Sequence, residues 1–209
     1  MNIEETRRGF KLGTFKDTKG VECSIQKSSL ASKQAIWFGV NEVDPRILKE
    51  GVWEPVTTAS YQPTDIHGNL IVGELTPVTE LHQVLYEDRM HISQDHANTL
   101  LEIFNKFLNK ELVEPLVFTD LYGAKCSIQV TKEPIPHGVE AEDINSFKLT
   151  EEFIELGCDD ANPRICIRGW RSLIFPEGTI FTTHMFLGKD QLSNLIPLLE
   201  HFANTGELE

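Results

Sequence analysis

Several absences narrow the class of this 209-residue chain before any motif is considered. It has four cysteines, Cys23, Cys126, Cys158 and Cys166. The spacing of the last two is not a zinc pattern, and no second pair accompanies it. There is no P-loop, no G-x-G-x-x-G and no H-E-x-x-H, so neither a cofactor nor a metal is expected. No apolar run approaches the roughly 18 residues of a membrane helix. The start, Met1 to Arg8, is charged and lacks an apolar core, so no signal peptide is expected and a cytoplasmic chain is. Basic residues are scarce: 19 Lys and Arg stand against 32 Asp and Glu, a formal charge of -13. Residues 113–209 carry the larger share of the excess. That balance argues against a nucleic-acid duplex as partner, which needs a dense basic surface. It leaves room for a local basic pocket.

What is present is an internal repeat. F-x-D-x-x-G-x-x-C-S-I-Q runs from Phe15 to Gln26 and again from Phe118 to Gln129, seven identities in twelve residues. Three further blocks match in the same order. Ile36–Ile47 matches Ile154–Ile165. Gly51 and Trp53 match Gly169 and Trp170. Arg89–Asp95 matches His184–Asp190, and both copies run on into a helical pattern. The expectation is a diverged tandem duplication, with a first module over 1–112 and a second over 113–209, joined near Glu111–Pro115. Each carries sequence that the other lacks, at about 59–86 in the first and 133–153 in the second. Such insertions usually fall in surface loops and carry specialisation.

The matched blocks predict the local structure. Asp17-Thr18-Lys19-Gly20 and Leu121-Tyr122-Gly123 read as hairpin turns, with Gly20 and Gly123 suited to positive φ. Ala35–Val40 and Phe153–Cys158 read as a third strand, and Asp88–Ile92 and Thr182–Leu187 as a last one. Asp44-Pro45-Arg46 and Asn162-Pro163-Arg164 read as turns. Ser93 can cap a helix from Gln94 to about Leu108, and Gly188 takes the equivalent place before a helix that ends at Thr205-Gly206. Leu100, Ile103, Phe104 and Phe107 form an apolar stripe, as do Leu195, Leu198, Leu199 and Phe202. The predicted class is α+β: two tandem copies of a small antiparallel sheet, each with one C-terminal helix packed on it. A fused ancestral dimer of this kind places a cleft between its two copies.

Cys23-Ser24-Ile25-Gln26-Lys27-Ser28-Ser29, Ile36-Trp37-Phe38-Gly39-Val40, Arg89-Met90-His91, Gly169-Trp170 and the ending Thr205-Gly206-Glu207-Leu208 resemble a family of small, uncharacterised bacterial and phage proteins of about one module. The second copy departs from that pattern at Val130-Thr131-Lys132 and where His184 and Phe186 replace Arg89 and His91. A site at those positions would be complete in one copy only. The resemblance implies no activity. Its phage association implies a role in phage–host conflict.

Candidate chemistry is thin. The seven histidines, His67, His82, His91, His96, His137, His184 and His201, never fall at matching positions, so no inherited catalytic histidine is expected. Asp159-Asp160 and the matching Asn41-Glu42 fall short of a cation's ligand set. Ser24 and Ser127 lack a nucleophile elbow. The polar and aromatic residues shared by both copies are the better candidates. Arg46 and Arg164 can fork onto a phosphate, or hold a salt bridge. Gln26 and Gln129 can read an amide or base edge. Trp53 and Trp170 can stack on a base or anchor a core. With Arg89 from the family-like strand, these seven form the expected ligand site. Asp17 and Asp120 read as turn residues. Three functions follow: a non-enzymatic counter-defence protein that sequesters a small nucleotide-like immune signal; an inhibitor of a host protein acting through an acidic surface or the insertions; and a nucleotide-processing enzyme. Self-association stays open.

Overall fold

The computed structural model describes residues 2–28, 34–64, 70–86, 89–132, 152–167 and 169–208. Most of the expected 133–153 insertion, together with Ser29, His67, Asp88 and His137, lies outside them. In chain order the strands are β1 (Asn2–Glu5), β2 (Lys11–Lys16), β3 (Glu22–Lys27), β4 (Ala35–Val40), β5 (Pro45–Lys49), β6 (Val52–Pro55), β7 (Ala59–Tyr61), β8 (Thr76–Val78) and β9 (Arg89–Ser93), followed by helix α1 (Gln94–Leu108). Then come β10 (Leu116–Thr119), β11 (Lys125–Lys132), β12 (Glu152–Cys158), β13 (Arg164–Cys166), β14 (Trp170–Ser172), β15 (Thr179–Phe181), β16 (His184–Leu187) and helix α2 (Lys189–Thr205). The protein is mixed α/β and strand-rich, with antiparallel sheets.

Compactness divides the chain differently from its two sequence halves. One unit holds 1–42, 88–160 and 183–209; the other holds 43–87 and 161–182. The first unit contains both helices and two sheets, ordered β1-β2-β3-β4-β9 and β10-β11-β12-β16. Their registers correspond. Ile25 pairs with Phe38 and Phe38 with Met90; Ile128 pairs with Leu156 and Leu156 with Met185. These six side chains are fully buried, as period-two alternation requires of one sheet face. Gly157 is demanded by close approach: a Cβ there would sit 2.3 Å from the Thr183 carbonyl oxygen. The helix stripes are buried as the periodicity predicts, with Phe104 and Phe202 fully so. Ser93 caps α1 through the His96 amide at 3.2 Å, and Gly206 closes α2 at φ 75°.

The two chain halves are tied reciprocally inside this unit. Asp17 Oδ1 accepts the Lys19 and Val21 amides of its own hairpin, both at 2.8 Å, while its Oδ2 accepts the Phe186 amide of β16 at 3.1 Å. Asp120 does the same in the other direction. Its Oδ1 accepts the Tyr122 and Ala124 amides at 2.8 and 2.9 Å, and its Oδ2 the His91 amide of β9 at 2.9 Å. Backbone bonds complete each contact, Thr18 N to Phe186 O at 2.9 Å and Leu121 N to His91 O at 3.1 Å. The helices also cross between halves. The His96 ring of α1 lies 5.5 Å from the Phe118 ring of β10, and Gln191 of α2 donates to the Lys16 carbonyl of β2 at 3.2 Å. The first turn of each helix therefore reaches the other half's hairpin strand. Gln94, also in the first turn of α1, donates to the Ala203 carbonyl in the last turn of α2 at 3.0 Å, so the helices run antiparallel.

The second unit contains the sheet β15-β5-β6, the pairs β7-β8 and β13-β14, and a small core of Ala59, Val78, Val84, Ile165 and Leu173. The expected proline turns are corrected here. Pro45 opens β5 and Arg164 opens β13, so Arg46 and Arg164 sit in strands. Proline is tolerated as the first residue of a strand, where no ladder donor is lost.

Three outcomes follow for stability. Phe104→Ala and Phe202→Ala should each lower the unfolding free energy by about 3–5 kcal/mol in urea denaturation, since each empties a fully buried site. Asp17→Ala and Asp120→Ala should each cost about 2–4 kcal/mol, because three amides lose a charged acceptor at once. Burial alone would raise the Asp120 carboxyl, but hydrogen bonds from the His91 side chain and amide and from the Ala124 and Tyr122 amides hold it below its ordinary 3.8. A depressed folded value means that the stabilisation is present above the unfolded value and is lost as pH falls through the folded one. The urea midpoint of the wild type should therefore fall on acidification below that ordinary value, and more steeply than that of Asp120→Asn.

Candidate functional site

The two sheets of the first unit bury one face and leave the other outward. In the first sheet the outward row is Gln26, Trp37 and His91, in direct register, with Ser24, Gly39 and Arg89 in the next row. The Trp37 and His91 rings meet edge-on at 5.5 Å, and the Trp37 indole donates to Ser28 Oγ at 3.0 Å. Tyr122, from the hairpin that Asp120 docks here, meets His91 at 4.1 Å and is 58% exposed. Asp120 Oδ2 also stands 3.4 Å from His91 Nδ1, which fixes the ring between the two larger aromatics. Arg89 Nε reaches the Val40 carbonyl at 3.4 Å.

The corresponding outward face of the second sheet carries different residues. Gln129, Glu155 and Phe186 form the row, and Gln129 Nε2 donates to Glu155 Oε2 at 2.9 Å. Lys19 takes the place of Tyr122, with its ammonium 3.2 Å from the Phe186 ring centroid. In the next row Ser127 Oγ lies 3.3 Å from His184 Nε2, and Asp159 Oδ1 lies 3.6 Å from the same nitrogen. Thr183 Oγ1 stands 3.4 Å from Nδ1 and donates to the Cys158 carbonyl at 2.6 Å. A Ser–His–Asp relay needs the carboxylate on the nitrogen away from the serine. Here both approach Nε2, so this trio is not arranged as a relay.

Of the seven expected ligand residues, Gln26, Arg89 and Gln129 lie in the first unit and Arg46, Trp53, Arg164 and Trp170 in the second. Arg46, in the central strand β5, has a half-exposed side chain held by Asp44 at 2.6 Å. It shares one face of the β15-β5-β6 sheet with Leu48, Trp53, Pro55 and Ile180, as their registers require. Leu48 and Ile180 are half exposed. Arg164 and Trp170 are brought together, the guanidinium carbon 5.9 Å from the indole, and Trp170 is 54% exposed. In the same unit Tyr86 packs on Phe175 and Phe181, and burial, with a smaller push from Asp44, raises its hydroxyl to about 12.

An open groove of about 910 Å³ in the first unit is lined from both chain halves, by Phe107, Lys110 and Leu112 and by Val130, Phe153 and Lys189. Its charges are mixed, and none of the seven expected residues lines it. Two side chains that sequence reasoning passed over, Trp37 and Tyr122, sit at the best-formed aromatic surface, and His91 was set aside for having no counterpart. The alternation Ile36, Phe38, Val40 inward could have placed Trp37 outward. Among the described residues no three His, Cys, Asp or Glu side chains are grouped to hold a metal ion, and no helix is long and apolar enough to cross a membrane.

Comparison with protein-family models, curated proteins and solved structures finds no match for this chain.

The thiols divide by exposure. Cys23, Cys126 and Cys158 are buried and Cys166 is exposed. Burial, with a smaller push from the Asp17 carboxylate, raises the Cys23 thiol to about 12. The Cys126 and Cys158 sulfurs lie 3.9 Å apart across β11 and β12. A thiol reagent on the native protein should modify Cys166 at once and the other three only on unfolding. Fast labelling of Cys23 or Cys126 before unfolding would contradict the buried assignment.

Proposed function

We propose that the chain is a tandem duplication of one α+β module and acts without catalysis, by binding a small nucleotide-like anion on the outward face of its first sheet. One observation carries this reading: Trp37, His91 and Tyr122 form an aromatic surface flanked in register by Gln26 and Arg89. An aromatic face stacks on any base, an amide reads a base edge, and a guanidinium forks onto phosphate. The reading takes the second sheet as a diverged copy, where Glu155 and Phe186 stand for Trp37 and His91. Arg164 beside Trp170 offers a similar pairing of cation and aromatic in the second unit. The resemblance to small bacterial and phage proteins supports a setting in phage–host conflict. Sequestration of an immune signal in the host cytosol would then be the useful outcome.

Calorimetric titration with cyclic di- and trinucleotides and ADP-ribose-type molecules tests this. Stacking and charge-assisted contacts each contribute about 1.5–3 kcal/mol, so Trp37→Ala and Arg89→Ala should each weaken binding by roughly ten- to a hundredfold without unfolding the protein. Absence of binding to any of them by the wild type at high micromolar concentration would overturn the reading.

A second reading, inhibition of a host protein, is favoured by the face that carries Arg46, Leu48, Trp53 and Ile180. A part-buried Trp and an exposed Arg among exposed aliphatics match the composition of protein contact centres. In that case Trp53→Ala would abolish partner binding and leave nucleotide titrations unchanged.

A further inference from the structure

The two sheets of the first unit differ at one corresponding edge. In the first sheet β2 is covered by β1, which pairs antiparallel with it from Asn2 opposite Thr14 to Glu5 opposite Lys11. In the second sheet β10 holds the place of β2, and among the described residues it pairs with β11 on one side and with no strand on the other. An unpaired edge presents a row of backbone donors and acceptors to any extended chain. Proteins guard such edges with charge, proline or a bulge. The covering strand β1 carries Glu4 and Glu5, and the edge strand β9 carries Arg89 and His91. β10 reads Leu-Val-Phe-Thr and has no charge. Val117 on it is 57% exposed, and the acid that follows, Asp120, is buried and committed to internal amides.

We infer that the β10 edge is a strand-addition site whose occupant is β10 of a second copy of this chain, paired antiparallel about a two-fold axis. The covered β2 edge shows that this position of the sheet accepts an added antiparallel strand. Self-pairing suits the segment because a strand without charge brings no like charges together, although the whole molecule carries -13. A two-fold contact of one edge with itself also closes, so it yields a dimer rather than a filament. This site is independent of the ligand reading above.

Sedimentation equilibrium over a micromolar concentration series tests it. The wild type should show a reversible monomer–dimer equilibrium. Val117→Lys and, separately, Thr119→Lys should weaken it by at least roughly tenfold, because a charge on each copy would be carried into the seam. Ile3→Lys, on the covering strand β1, should leave it unchanged. Both β10 positions are exposed, so circular dichroism should show native folding in the variants. Hydrogen exchange at Leu116–Thr119 should slow as concentration rises. A wild type that stays monomeric across the series, or a dimer indifferent to both β10 substitutions, would overturn the inference.

Discussion

Two buried carboxylates hold the first unit together. Asp17 and Asp120 each bind three backbone amides, two from their own hairpin and one from the last strand of the other chain half. A carboxylate taken out of water needs such partners, because an unpaired charge there costs several kcal/mol. The bonds are shared unevenly in range. The Oδ1 bonds shape a local turn, and the Oδ2 bond spans 29 residues for Asp120 and 169 for Asp17. One side chain thus couples hairpin geometry to the placement of a distant strand. Both helices start directly after those clamped strands, at Ser93 and Gly188, so the clamp also sets where each helix enters. Their antiparallel pairing follows from two such starts related by a reciprocal exchange.

The clamp also explains where the two halves agree and where they differ. The buried rows Ile25–Phe38–Met90 and Ile128–Leu156–Met185 are nearly the same because close packing tolerates little change in volume. On the outward faces the same registers hold Trp37 against Glu155, His91 against Phe186 and Tyr122 against Lys19. Nothing in the packing opposes such exchanges. Substitution at these positions alters what the surface can bind and leaves the scaffold intact. A Gln129–Glu155 hydrogen bond and a lysine over Phe186 make the second face self-satisfied. The first face keeps exposed aromatic area.

The hairpins, the third and last strands and both helices were legible because they rest on local signals: turn glycines, alternation, caps and a 3.6-residue stripe. Ser93 and the Gln94–Leu108 span illustrate this. The rest was not local. β1 is a short, charged strand that exists by pairing with β2. The second unit assembles two segments far apart in the chain, 43–87 and 161–182, and its strands are three to five residues long, too short to carry a period. Pro45 and Pro163 read as turns because proline presets φ, yet β5 starts at the first and β13 directly after the second. Asp17 and Asp120 were legible as turn residues, but the second oxygen's distant partner leaves no trace at short range.

The repeat itself biased the choice of candidate residues. Identity between two matched segments selects for whatever the frame needs in both places. Asp17/Asp120 prove to be of that kind. Arg46, shared with Arg164, is likewise engaged by Asp44. The binding proposed above would leave its signature in the opposite place, where the matched halves disagree on a face that packing does not constrain. Trp37, His91, Tyr122 and Arg89 all meet that condition, and all four surround one surface. Where two halves of a chain match, then, shared identities mark the frame, and outward differences in register with one another are where the proposed site lies.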